Sequence, residues 1–143
     1  MENGSVALRE VYPVRSGDFA TAGEASRKIK AILKKLGVDS GVVRRVSIAA
    51  YEVELNLVIH SLGGEMELVV SPSYLALNIR DEGPGIPDID LAMREGYSTA
   101  SDDVRMMGFG AGMGLPNMKR NATDFAIRSE GGVGTTIEMG FKL

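Results

Sequence analysis

Residues Gly108 to Arg120 read GFGAGMGLPNMKR: glycine at every second position from Gly108 to Gly114, then a segment of helical character. A glycine-rich loop feeding a helix is suited to phosphate, because backbone N–H groups and the positive end of the helix dipole converge there. Two common versions of that device do not fit. The pattern GxxxxGK[ST] needs a lysine followed by Ser or Thr at a set distance, and none is present. The pattern GxGxxG fails because Met113 and Leu115 stand where glycine is required. Pro116 does suit a first helical turn, where it removes no internal hydrogen bond. Taken alone, the segment reads equally well as a flexible linker or an anion site. Its meaning must come from elsewhere in the chain.

Composition narrows the field. The 143 residues are read as one domain, 1–143, of a size that buries about 68–70% of the surface of its unfolded chain. Hydrophobic content of 44% and charged content of 24% are those of a folded domain. The net charge is −3. No basic run exceeds two residues, and Lys34–Lys35 and Arg44–Arg45 read as solvated helix faces, so nucleic acid is not an expected partner. The absence of cysteine excludes disulfides, thiolate metal sites and a cysteine nucleophile. No apolar run approaches the ~18 residues of a membrane span, and MENGSVALRE lacks the shape of a signal peptide. A cytoplasmic protein without membrane contact is therefore expected.

The pattern of apolar residues predicts a first strand over Ser5–Val14 and a helix from a cap at Asp18 to about Leu36, stopped by Gly37. A second helix is expected from Asp39 or Ser40 to about Leu62. Two strands, about Glu65–Val70 and Tyr74–Arg80, are joined by the turn Ser71-Pro72-Ser73. A long irregular stretch follows from Asp81 to about Gly112, with a short helix at Ile89–Glu95. A helix at Met113–Ala122 and strands at Asp124–Ser129 and Thr135–Lys142 complete the chain. This order predicts an α/β (α+β) two-layer sandwich: a mixed, mainly antiparallel sheet covered on one face by helices. An irregular stretch of some thirty residues within a compact domain suits a lid or binding loop.

Chemistry concentrates in three places. In the second helix, Glu52, Asn56 and His60 recur every four residues and so share one stripe. The plainer interpretation is a solvated surface stripe; the functional one turns Glu52 and Asn56 toward a cavity, as general base and as an oxygen ligand for Mg²⁺. Glu54 lies about 200° around the helix from Glu52 and is expected to be exposed. At the end of an apolar strand, Asp81 is followed by Gly83 and Gly85 in RDEGPGIPD. A carboxylate there can accept a hydrogen bond from an exocyclic amine, and the glycines let the backbone pass close to a flat ring. Singly, DxGxG marks an ordinary turn. The ordered set says more: ExxxN on a helix, DxGxG at a strand end, GxGxGL opening a helix, and Gly132-Val133-Gly134-Thr135 before the last strand.

With these motifs the chain resembles the GHKL ATPase superfamily, whose Bergerat-type ATP-binding fold is shared by gyrase, Hsp90, histidine kinases and MutL. Within it, DEGPGIPDIDLAMREGYST and GAGMGLPNMKR are most similar to the anti-sigma-factor serine/threonine kinases and switch kinases of bacterial partner-switching pathways. The resemblance implies ATP and Mg²⁺ as cofactors, with Asn56 holding the metal and Glu52 activating a serine hydroxyl or water. His60 matches a histidine frequent in the family. Asp81 would read adenine in a pocket shaped by Gly83, Gly85 and Ile86, with Thr135 beneath the ring and bonded to Asp81 directly or through water. Residues 87–112 would form the ATP lid, from which Arg105 would reach the γ-phosphate. Gly108, Gly110, Gly112, Met113, Gly114 and Leu115 would hold the phosphates. Glu54, Leu55, Leu57 and Val58 depart from the small residues usual beside that asparagine, and a narrowed pocket is expected. The implied partners are a STAS-domain antagonist and a sigma factor or other regulator, with a homodimer as a family habit. The two functions that follow are a protein serine/threonine kinase and a nucleotide-gated binding module with little catalysis.

Overall fold

The structure, a computed structural model, describes residues 7–60, 63–83, 93, 114–130 and 132–143. Its elements run β1 (Leu8–Val14), α1 (Glu24–Lys35), α2 (Ser40–His60), β2 (Gly64–Val70), β3 (Tyr74–Asp81), α3 (Gly114–Asn121), β4 (Asp124–Glu130) and β5 (Gly134–Lys142). The expected short helix at Ile89–Glu95 and nearly all of the expected lid fall outside the described residues.

Local chemistry sets several boundaries. Gly37, at φ +74°, adopts the left-handed conformation that ends α1. Its N–H donates to the Lys34 carbonyl at 3.1 Å and that of Val38 to Leu33 at 3.1 Å, the paired bonds of a Schellman stop. Two residues on, Asp39 Oδ2 accepts from the N–H groups of Gly41 at 3.0 Å and Val42 at 3.3 Å, which caps α2. The α1 start differs from expectation. Among the described residues the Asp18 side chain accepts only the Thr21 N–H, at 3.3 Å in an exposed turn, and the helix begins at Glu24.

That start is capped from a distance. The Glu54 carboxylate, 3% exposed, accepts hydrogen bonds from the N–H groups of Gly23 (3.0 Å), Ala25 (3.1 Å) and Ser26 (3.0 Å) and from the Ser26 hydroxyl (2.6 Å). The expectation that Glu54 is exposed is therefore wrong. The wheel correctly separates it from Glu52, but the far side of α2 meets the N-terminus of α1 rather than water. A buried carboxylate is tolerable there because the N–H donors of a helix's first turn lack partners within the helix.

The five strands form one sheet in the order β1-β2-β3-β5-β4, and all four pairings are antiparallel. The expected mixed character is thus corrected to purely antiparallel among the described residues. The reason lies in the connections. α1 and α2 form an antiparallel pair between β1 and β2, so two traverses reverse the chain before it rejoins the sheet. β5 folds back on β4 and inserts between β3 and β4, separating the two strands that run parallel. One sheet face carries Met66, Leu68, Leu75, Leu77, Ile79, Ile137, Met139 and Phe141, all at most 4% exposed, in one core with α1, α2 and α3. The other face is polar, with ion pairs such as Arg128–Glu138 at 3.6 Å.

Candidate nucleotide site

Half of the described side chains of α2 are buried, and Glu52 and Asn56 are half-buried on its less covered side. Successive helical residues turn by about 100°, so Asn56 lies about 40° from Glu52, one turn further along the same face. On that wheel Leu57, Glu54 and Val58 fall at roughly 140°, 200° and 240°. Leu57 and Val58 lie in the core and Glu54 at the α1 cap, so the expected narrowing does not come from these three. Leu55, 8% exposed, is the flanking residue nearest the stripe. His60 is the last residue of α2.

Glu52 is half-buried, and burial raises its carboxyl above the usual carboxylate range; a hydrogen bond from the Asn117 side chain on α3 pulls the other way. The Asn117 amide has a defined orientation. Its Oδ1 accepts from Arg120 Nη1 at 3.0 Å. Among the described residues the Asn56 side chain has no hydrogen-bond partner. No cation pairs with Glu52 or Asp81 there either.

The second half of the site lies where β3 ends and β5 begins. Asp81 Oδ1 accepts the backbone N–H of Thr135 at 2.6 Å. Burial raises the Asp81 carboxyl, and this bond offsets part of the rise. Thr135 approaches through its main chain; its hydroxyl pairs with that of Ser129 at 3.0 Å. The approach requires Gly134, whose φ is +148° and where an added Cβ would overlap the Asp81 carbonyl oxygen. Asp81 also pairs with Gly64 across the β2–β3 ladder, and Gly64 lies against Leu57 of α2. The strand-end aspartate thus lies at the end of the sheet against which Leu57 of α2 packs.

The structure therefore brings Asp81 together with Thr135, places Asn56 one turn beyond Glu52, and seats Leu115, 7% exposed, in the core at the start of α3. Gly83 follows β3, its N–H donating to the Val133 carbonyl at 3.4 Å. Gly114 opens α3. Gly85, Ile86, Arg105, Gly108, Gly110, Gly112 and Met113 lie outside the described residues. Asn117 and Ser129 are structural partners of the site that motif spacing did not single out, whereas Gly134 belongs to the Gly132–Thr135 motif. Asn117 stands inside the quoted glycine-to-helix segment, but only its contact with α2 marks it.

Residues 41–143 match the family described as histidine kinase-, DNA gyrase B-, and HSP90-like ATPase. The chain belongs to this ATPase family. Among curated relatives, the serine/threonine-protein kinase RsbT of Bacillus subtilis (strain 168) is 33% identical over 125 residues, covering 85% of this chain and 86% of the relative. An anti-sigma F factor of Geobacillus stearothermophilus is 27% identical over 115 residues, 76% of this chain and 75% of that protein. Another, from Clostridium acetobutylicum, is 32% identical over 99 residues, 66% of each chain.

The donor set suits the nucleotide of this ATPase family. Asp81 Oδ1 is committed to Thr135, while Oδ2 accepts no hydrogen bond among the described residues and so suits an amine donor such as that of adenine. No group of three His, Cys, Asp or Glu side chains gathers among the described residues to hold a metal. A single amide oxygen, as on Asn56, is sufficient for Mg²⁺ when phosphate oxygens and water complete its octahedron. No helix among the described residues is long and apolar enough to cross a membrane.

Proposed function

We propose that this chain is an ATP-dependent protein serine/threonine kinase of the switch-kinase type, acting on a serine of a STAS-domain antagonist. The observation that carries this reading is Glu52: a half-buried carboxylate one helical turn from Asn56. The match to a serine/threonine kinase along 85% of the chain supports it.

In this reading Asp81 selects the adenine and the N-terminal N–H groups of α3 face the phosphates. Asn56 would hold Mg²⁺, which supplies charge neutralisation along the triphosphate. Glu52 takes the proton of the serine hydroxyl as the Oγ–P bond forms and the bond between the γ-phosphorus and its bridging oxygen breaks, releasing ADP. The raised affinity of Glu52 for a proton moves it toward the working pH, which favours a general base. No cysteine chemistry competes, since the chain has none.

The test is incubation with Mg-ATP and candidate STAS proteins, scored for phosphoserine. Glu52→Ala is expected to keep nucleotide binding and lose transfer, whereas Asp81→Asn weakens binding. Normal ATP affinity in Asp81→Asn would overturn the pocket assignment. A second reading, a nucleotide-gated module that sequesters a sigma factor, draws on the relatives named anti-sigma F factor. Tight ATP binding with no transfer to any STAS protein would favour it.

A further inference from the structure

We propose that Ser129 is a positioning residue for the Thr135 hydroxyl, setting it as a hydrogen-bond donor to the ring nitrogen beside the amine that Asp81 receives. This rests on the reading of Asp81 as the adenine acceptor.

The sheet register carries the inference. On the helix-covered face, Ile79 of β3, Ile137 of β5 and Ile127 of β4 stand in one row. Ile79 and Ile137 are buried, and Ile127 packs against the core. Side chains alternate between faces along a strand, so two residues further on the same face carries Asp81, Thr135 and Ser129. Ser129 is the ladder partner of Thr135. A polar row thus closes an apolar one across three strands, and hydrogen bonds join its members. Asp81 Oδ1 accepts the Thr135 N–H at 2.6 Å, and the hydroxyls of Thr135 and Ser129 lie 3.0 Å apart.

These bonds decide what a base edge would meet. Asp81 Oδ2 offers an acceptor, as described above. The Thr135 hydroxyl has one proton, and Ser129 controls where it goes. If Thr135 gave that proton to Ser129, the Ser129 proton would turn to the Gly134 carbonyl at 3.4 Å. That separation lies beyond the roughly 2.5–3.0 Å of a good O–H···O bond. With Ser129 donating to Thr135 instead, the shorter contact is satisfied and the Thr135 proton is left for a ligand. The row then presents an acceptor and a donor side by side. Adenine matches it with an amine beside an unprotonated ring nitrogen. Guanine places a carbonyl oxygen beside an N–H on the corresponding edge and is mismatched at both positions.

Nucleotide affinity of the full chain tests the proposal, with Mg-ATP and Mg-1-deaza-ATP as probes. The analogue keeps the amine and has C–H in place of the adjacent ring nitrogen. Wild type should bind ATP roughly 3- to 10-fold more tightly than the analogue, the worth of one neutral hydrogen bond. Ser129→Ala should lose most of that preference through weaker ATP binding, with affinity for the analogue unchanged. Ser129→Thr, which keeps the hydroxyl, should restore it. In a Thr135→Val background Ser129→Ala should cause no further loss. Equal wild-type affinities for the two nucleotides overturn the proposal, and that measurement needs no variant to fold. A preference for ATP that survives Ser129→Ala overturns it as well. So does equal weakening of both nucleotides, because the serine would then act only on the scaffold. All three results leave Asp81 as the adenine acceptor. Normal ATP affinity in Asp81→Asn removes that reading and this proposal with it.

Discussion

Glu52 and Asp81 share an unusual electrostatic position: each is a half-buried carboxylate whose proton is held more tightly in the folded chain than in the unfolded one. The linkage has a definite sign. Where folding raises a carboxyl's pKa, the native state binds more protons than the unfolded state as pH rises through that window, so stability falls with rising pH. At neutral pH the ionised Glu52 is therefore a burden on the unliganded fold. Glu52→Gln should melt higher than wild type at pH 7.5, by a small margin because the site is partly solvated and screened. That margin should close below about pH 4, where the wild-type carboxyl is protonated as well. Thermal melts across this range check it; a variant less stable at pH 7.5 than at pH 4, relative to wild type, would contradict the assignment. Gly134 sets a second limit at this scale. Gly134→Ala should lose about 2–3 kcal/mol and weaken nucleotide binding, since its methyl group would displace Asp81. Gly132→Ala is the control: φ is +78° but its Cβ would meet nothing within 4 Å. It should lose about 1 kcal/mol and bind nucleotide normally.

At the scale of elements, legibility followed the range of the interaction. Gly37 and Asp39 announce the end of α1 and the start of α2 because stop and cap are built from adjacent residues. The start of α1 was misplaced because its cap comes from Glu54, 28 to 31 residues further on. The Glu52–Asn56 stripe and the strand-end Asp81 were visible as spacing, whereas Asn117 and Ser129 acquire meaning only from contacts between elements. The purely antiparallel sheet was equally hidden, since the insertion of β5 between β3 and β4 is decided by packing rather than by any local signal. Glu54 yields the sharpest test at this scale. Its removal leaves three N–H groups and a hydroxyl buried without their acceptor, and breaking such a charged network typically loses about 3–5 kcal/mol. Glu54→Ala should show that loss in urea unfolding, whereas Glu138→Ala, at an exposed ion pair, should change stability by less than about 1 kcal/mol. Equal effects would mean that Glu54 is not the cap of α1.

For the whole molecule, helices on one sheet face form a single core, and the proposed site draws on α2, α3, β3 and β5 together. A ligand bridging these elements binds the folded state alone, so its affinity is added to the stability of the domain. Mg-ATP at about 100 times its dissociation constant should stabilise the fold by about 2.7 kcal/mol, raising the melting temperature by roughly 5–11 °C for a chain of this size. Asp81→Asn should abolish most of that shift, because the adenine acceptor is gone, even though the unliganded variant is at least as stable at neutral pH. Glu52→Gln should keep the shift, because a base contributes to transfer and not to binding. Chelating the metal should reduce the shift in every variant that binds, since in the proposed reading Asn56 would hold Mg²⁺ and the ion would neutralise phosphate charge. Thermal melts with and without nucleotide read all four cases in one experiment. An Asp81→Asn protein with a full shift would detach adenine recognition from β3. A Glu52→Gln protein without one would move Glu52 from the chemistry of transfer into the binding of nucleotide.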